Sequence, residues 1–209
     1  LSFAKDCDAK LIYSGSSTKF SDEGKGLSPY AYTKAQNTEL LKAYAEWYGL
    51  DYAIVYFYNV YGDNEIGSGK YATVIAKFLE LVKAGHKTLP VTAPGTQLRN
   101  FTHIDDIVEG LILVMENGQG DNYGIGCEKA WTMVDVVKAM GVDYQIVEAV
   151  KGNRMHGEVK TAKTRALGWE CKQDLGNYIN RKLGQSKSLP SAVDDAAEVM
   201  RLSAFKLWR

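Results

Sequence analysis

The run DYAIVYFYNV at residues 51 to 60 is apolar without a break from Tyr52 to Tyr58. A strand with one face in water alternates apolar and polar residues, so an unbroken run of this length requires cover on both faces, as in a parallel sheet. The chain supplies one covering element just upstream. A helix is expected from about Tyr30 to Tyr48, because Ser28 can cap it, Pro29 suits its first position and Gly49 suits its exit. Before that helix, LIYSGS at 11 to 16 is a short apolar run closed by small polar residues, which predicts a buried strand ending in a loop. Strand, helix, strand is the signature of an α/β fold.

Apolar spacing predicts further helices over Tyr71 to Ala84, Ile104 to Glu116 and Thr132 to Met140, each followed by Gly or Asn-Gly. Short strand candidates lie near Leu89 to Thr92, Asn122 to Gly126 and Tyr144 to Val147, and Arg165 to Leu183 suggests one or two small helices around a turn. From Gly184 to Pro190 the composition turns polar. An amphipathic helix carrying Val193, Ala197, Met200, Ala204 and Trp208 is expected after it, packed on its own domain or on a partner. There is no internal repeat and no low-complexity stretch.

The 25 basic and 25 acidic residues cancel, which argues against a nucleic-acid or anionic-membrane partner and requires any anionic ligand to be gripped locally. No apolar stretch approaches the roughly 20 residues that span a bilayer. LSFAKDCDAK at the start carries charges where a secretory peptide carries its apolar run, so the chain is read as beginning inside a domain of a cytoplasmic protein. Cys7, Cys127 and Cys171 have neither metal-ligand nor redox-pair spacing and are expected to be reduced thiols. His86, His103 and His156 are scattered, and no metal site is expected.

Tyr30 and Lys34 stand four apart near the start of the predicted helix and share one face. An ammonium beside a phenol favours phenolate, which makes a tyrosine usable as a general base. In a chain with 13 tyrosines such a pair also arises by chance on a solvated helix. Ser16 closes the preceding strand, where its hydroxyl would face the cleft beyond the carboxyl ends of the strands. Ser14, Ser16, Ser17 and Thr18 serve equally well as loop residues that satisfy the backbone.

Taken together these segments resemble the extended short-chain dehydrogenase/reductases that act on nucleotide sugars, of the UDP-glucose 4-epimerase kind. YSGSSTKF at 13 to 20 resembles the family's serine-rich loop, SPYAYTK at 28 to 34 its Pro-Tyr-x-x-x-Lys element, and YFYNVYG at 56 to 62 its Arg-x-x-Asn-Val-Tyr-Gly stretch. GTQLRNFTHIDDIVEGL at 95 to 111 is similar to its Arg-Asp-Phe-x-His-x-Asp-Asp block, and LGW at 167 to 169 to a later motif. The resemblance implies the C-terminal part of a Rossmann-type parallel sheet with a smaller α/β substrate-binding domain. Residues 1–62 and 99–117 would belong to the Rossmann part, the rest of 63–184 mainly to the substrate-binding part, and 185–209 would form the tail.

The resemblance also implies an NAD-dependent epimerisation at C4 through a 4-keto intermediate. Tyr30 would be the base, Lys34 its helper and a ligand of the nicotinamide ribose, and Ser16 the catalytic hydroxyl with Thr18 beside the substrate. Asn59, Arg99 and Arg154 would hold the diphosphate. It further implies a homodimer through the Tyr/Lys helix, where Leu40, Ala43, Tyr44 and Trp47 offer an apolar face.

Several positions depart from that pattern. Ser17 and Thr18 occupy the place of the acid pair that dehydratases and decarboxylases carry, which favours epimerisation or keto-reduction. Asn100 replaces the usual Asp, Asp63 the usual Pro, Met155 one place for a diphosphate arginine, and Lys160 a common Asp. No Gly-x-x-Gly-x-x-Gly turn opens the sequence, so the front of the family pattern is expected to be missing. The competing readings are a dehydratase or reductase of the same family, and a truncated non-catalytic module that binds a nucleotide sugar or assembles with another chain.

Overall fold

The strand, helix, strand unit is present in a computed structural model, which describes residues 1–20, 28–148 and 159–184. The expected tail helix and Arg154 lie outside the described residues. A short helix α1 (Ser2–Asp6) leads into β1 (Leu11–Ser14), a 3-10 turn (Ser17–Phe20) and the long helix α2 (Pro29–Tyr48). The Ser28 hydroxyl accepts the Ala31 N–H at the start of α2, and Gly49 ends it in the left-handed region at φ 65°. That conformation favours glycine, as the sequence anticipated.

The apolar run forms β2 (Tyr52–Phe57), followed across Tyr58 and Asn59 by the short β3 (Val60–Tyr61). Next come α3 (Val74–Lys83), β4 (Thr88–Thr92), β5 (Leu98–Asn100), β6 (Thr102–His103) and α4 (Ile104–Asn117). The remaining elements are β7 (Gly120–Ile125), β8 (Ala130–Thr132), α5 (Met133–Ala139), β9 (Asp143–Val147), α6 (Ala162–Arg165) and α7 (Leu175–Lys182).

Strand β2 lies between β1 and β7, parallel to both. Its residues alternate between two cores because successive side chains point to opposite faces. Ile54 and Tyr56 pack with Leu41 and Ala45 of α2 on one face. Ala53 and Val55 pack with Ile107 and Val114 of α4, Tyr123 and Ile125 of β7, and Trp169 on the other. Each large aliphatic side chain buried in this way contributes about 1.5–3 kcal/mol of transfer free energy.

A separate cluster unites Tyr61, Ile75, Phe78, Val136, Val137 and Ile179, drawn from β3, α3, α5 and α7. Helix α3 starts later than the expected Tyr71 because Glu65 holds the preceding loop in another shape. One Glu65 carboxylate oxygen accepts the Gly62 N–H and the other accepts the Thr73 hydroxyl. Thr132 caps α5 in a reciprocal box with Asp135, so the helix begins one residue after the predicted start.

The expectation of three reduced thiols is corrected. Cys7 is free, but Cys127 and Cys171 are joined in a disulfide across a sequence separation of 44, with their Cα atoms 5.4 Å apart. The pairing arises from the tertiary fold. The loop after Trp169 folds back on α4 when the indole Nε1–H donates to the Asp106 carbonyl at 2.8 Å, and this brings Cys171 to the end of β7.

The same packing explains a glycine inside α4. A Cβ added at Gly110 would lie 2.8 Å from Ile125 Cγ2 and 2.9 Å from the Trp169 ring. Alanine is favoured over glycine in an exposed helix by about 1 kcal/mol. Here we expect Gly110→Ala to lower stability instead, by about 1–3 kcal/mol, read as a lower urea midpoint. An unchanged or higher midpoint would contradict the close approach of Trp169.

Candidate functional site

Because β1 and β2 run parallel, their carboxyl ends open on the same side. Ser14 ends β1, Gly15 donates its N–H to the Val55 carbonyl at 2.9 Å, and the chain then turns through Ser16. A Cβ at Gly15 would collide with the Tyr56 ring, so glycine permits the turn to lie against the sheet. The Ser16 and Thr18 hydroxyls hydrogen-bond to each other at 2.8 Å. They line a cavity of about 220 Å³ together with Lys34, Thr38 and Tyr56.

Lys34 projects from the first half of α2 into this space. Its ammonium donates to the Ser14 carbonyl at 2.8 Å and sits 5.0 Å from the centre of the Tyr13 ring. Lys34 therefore ties α2 to the end of β1. Tyr30, one turn earlier on α2, is 60% exposed and is not among the residues lining the cavity. Thus Ser16, Thr18 and Lys34 share one cavity, while the phenol stands at the open face of the helix start.

The proposed diphosphate residues form a second group. Asn59 follows β2 with φ 32°, a left-handed conformation that asparagine tolerates better than most residues. Its amide donates to the Asn100 carbonyl at 3.1 Å, and its own carbonyl accepts the Thr102 N–H. Arg99 lies on β5 opposite Trp131 of β8, and its guanidinium donates to the Leu98 carbonyl at 2.7 Å. Asn59 and Arg99 are linked through Asn100. Neither is among the residues lining the cavity at Ser16.

The departures at 100 and 63 have physical accounts. The buried Asn100 amide donates to the carbonyls of Cys127 and Glu128 at 3.1 and 2.9 Å. A carboxylate there would face two acceptors with no proton to offer, so the β5–β8 contact calls for an amide. Asp63 pairs with Lys182 and Arg181 of α7 at 3.1 and 3.5 Å. His103, in the same sequence block, caps α4 by accepting the Asp105 N–H at its Nδ1.

Sequence reasoning missed the charged network behind the cavity. The Tyr56 hydroxyl donates to one Asp121 carboxylate oxygen at 2.7 Å, while Lys19 and Lys42 reach the other at 2.6 and 3.0 Å. Lys19 also donates to the Tyr56 hydroxyl and to Asn122 at 3.1 and 2.9 Å. Burial, reinforced by Asp121, pushes the Tyr56 phenol far above its ordinary value. Tyr56 stands where the resembling stretch has an arginine, and this was the visible signal. The lysine that supplies the positive charge instead comes from the serine-rich loop.

The sheet and its flanking helices define a Rossmann-like α/β protein. They match the structure of UDP-glucose 4-epimerase from Thermotoga maritima, solved with UDP-glucose, with a TM-score of 0.76 at 24% identity over 87% of this chain and 65% of that one. Residues 1–126 match the NAD dependent epimerase/dehydratase family, and the chain belongs to that family. It is 29% identical over 180 residues to human dTDP-D-glucose 4,6-dehydratase, covering 77% of this chain and 49% of the relative. It is 38% identical over 104 residues to UDP-glucuronate 4-epimerase of Thermodesulfobacterium geofontis, covering 48% of this chain and 31% of the relative. The chain thus spans about half the length of the human relative and about a third of the bacterial one.

Burial alone would raise the Asp121 carboxyl, but hydrogen bonds from Lys19, Tyr56 and Lys42 outweigh it and hold the group below the usual carboxylate range. A carboxyl depressed on folding stabilises the protein above its unfolded pKa of about 3.9, and that contribution is lost as pH falls through the lower folded value. Asp121→Asn should therefore lower the urea midpoint at pH ~7 and lose less further stability than the wild type below pH ~4. Parallel acid limbs for the two proteins would show that the network does not stabilise the fold.

Proposed function

We propose that the chain is the catalytic and substrate-binding part of an NAD-dependent nucleotide-sugar epimerase acting at C4 through a 4-keto intermediate. The observation that carries this reading is the hydrogen-bonded pair of Ser16 and Thr18 hydroxyls in one cavity with Lys34, at the carboxyl end of a parallel sheet. Tyr30 is the base that takes the C4 hydroxyl proton. Ser16 holds that hydroxyl in line, Thr18 neighbours the sugar, and Lys34 supports the phenolate. Asn59 and Arg99, with Arg154 from outside the described residues, hold the diphosphate by charge-assisted hydrogen bonds. Such remote contacts orient the sugar at the reacting carbon.

The residues present fit the nicotinamide end of NAD: an exposed phenol and a neighbouring amine lie on one helix face beside the strand ends. Tyr30 and Lys34 would hold its ribose. Bound there, the cofactor supplies the acceptance and return of hydride.

Similarity to a dehydratase at 29% identity supports dehydration by the same site as a second reading. Ser17 and Thr18, standing where that chemistry carries an acid pair, favour epimerisation. A non-catalytic nucleotide-sugar-binding or assembly module is the third. We also propose a cytoplasmic homodimer through α2, supported by Leu40 and Trp47, which are 53% and 67% exposed on that helix. The division into a Rossmann part and a substrate-binding part is supported by the separate cores around β2 and around Tyr61.

The test is turnover of UDP-glucose and UDP-N-acetylglucosamine with NAD. Tyr30→Phe should cut kcat by about 10²–10⁴-fold while leaving UDP affinity unchanged. Release of a 4-keto-6-deoxy sugar would move the assignment to a dehydratase. Light scattering should give the mass of a dimer, and a monomeric mass would reject the proposed role of Leu40 and Trp47.

A further inference from the structure

We infer that the Cys127–Cys171 pair is a reversible modification site, a disulfide exchanging with low-molecular-weight thiols, and that its state tunes the grip of the Asn59 and Arg99 region on a nucleotide diphosphate. The second half of this inference rests on the proposed function.

The two cysteines differ in access. Cys127 is buried at 4% exposure just beyond β7, whereas Cys171 lies exposed in the loop after Trp169. An incoming thiolate therefore meets the Cys171 sulfur first. It bonds to that sulfur, the protein S–S bond breaks, and Cys127 leaves as a thiolate that takes up a proton. A second small thiolate then attacks the small-molecule sulfur of the mixed disulfide and frees Cys171. The net change is the oxidation of two small thiols to their disulfide and the reduction of the protein disulfide to two thiols. A small-molecule disulfide such as oxidised glutathione drives the reverse.

The surroundings keep the opened pair in place. The Lys172 and Gln173 N–H groups donate to one Asp106 carboxylate oxygen at 3.2 and 3.0 Å, and Trp169 is fixed to the Asp106 carbonyl. The Cys171 side thus stays docked on α4 without the S–S bond, so opening releases mainly the Cys127 side.

That side is bonded to the proposed diphosphate region at two points. The Cys127 N–H donates to the Thr102 hydroxyl at 3.1 Å, and its carbonyl accepts the Asn100 amide at 3.1 Å. The Asn100 carbonyl in turn accepts the Asn59 amide, and Arg99 is its chain neighbour. A closed disulfide fixes the acceptor on which Asn100 depends. An open one lets residues 126–128 shift and loosens Asn59 and Arg99 together.

The experiment compares the full chain equilibrated with reduced or with oxidised glutathione. Alkylation with N-ethylmaleimide followed by intact mass should give adducts at Cys7, Cys127 and Cys171 in the reduced form and at neither Cys127 nor Cys171 in the oxidised form, where the exposed Cys7 carries either the maleimide or a glutathionyl group. Calorimetric titration with UDP should show binding about fivefold or more tighter in the oxidised form, with Cys171→Ser insensitive to glutathione and equal to the reduced wild type. Equal UDP affinity in both wild-type forms would overturn the tuning. A disulfide that resists glutathione until the protein is denatured would overturn the exchange. Stoichiometric zinc on the reduced form would also overturn it, in favour of a metal held by Asp106, Cys127 and Cys171, whose ligand atoms lie within 4.8 Å of one another. Failure of both forms to bind UDP would sink the proposed function and the tuning with it, and the alkylation pattern would still decide the exchange.

Discussion

The burial of β2 on both faces is the constraint from which the rest of the molecule follows. A strand whose Ala53, Ile54, Val55 and Tyr56 are wholly withdrawn from water needs a helix above and a helix below, and α2 and α4 are those helices. Helices on both faces go with parallel neighbours, because each crossover returns the chain to the same end of the sheet. Parallel neighbours in turn place the turn after β1 and the bend after β2 on one side. The Ser16 loop and Asn59 share that side for this reason, and α2, already required as a cover, presents Lys34 to the end of β1.

The residues that hold this arrangement are more polar than the core suggests. The Asp121 carboxylate of β7 collects Tyr56 from β2, Lys19 from the serine-rich loop and Lys42 from α2. These contacts couple four elements at one point, and the elements include the loop that carries Ser16 and Thr18. A phenol and a lysine from different segments share the carboxylate, so the position of the Ser16 loop is tied to the charge balance around Asp121 as well as to apolar packing.

The parts of this structure legible in the sequence are those governed by local rules. The bounds of α2 follow from Ser28, Pro29 and Gly49, and β2 from its unbroken apolar run. The positions of Ser16 after β1 and of Tyr30 and Lys34 on α2 were legible because strand ends and helix spacing are local properties, but of these only Ser16 and Lys34 meet in the cavity. What escaped reading depends on distance along the chain. Strands β5 and β8 have three residues each, too few for alternation to show, and they exist because Asn100 finds carbonyl partners at Cys127 and Glu128. The Lys19–Asp121 contact joins residues 102 positions apart, and no periodicity announces such a pair. The cysteine pairing was likewise a product of Trp169 docking on α4.

The Glu65 clamp has a consequence for how such a protein can vary. By accepting from Gly62 at one end and Thr73 at the other, its carboxylate closes the intervening stretch into a loop with its own stem. Asn59 lies before that stem and α3 after it, so the separation between them is set by the clamp and not by the length of chain outside it. Added residues between Glu65 and Thr73, around the exposed Ile66 and Tyr71, would project into solvent and leave the frame undisturbed. The outer surface of this region is therefore free to diversify, by insertion or deletion, without displacing the start of α3.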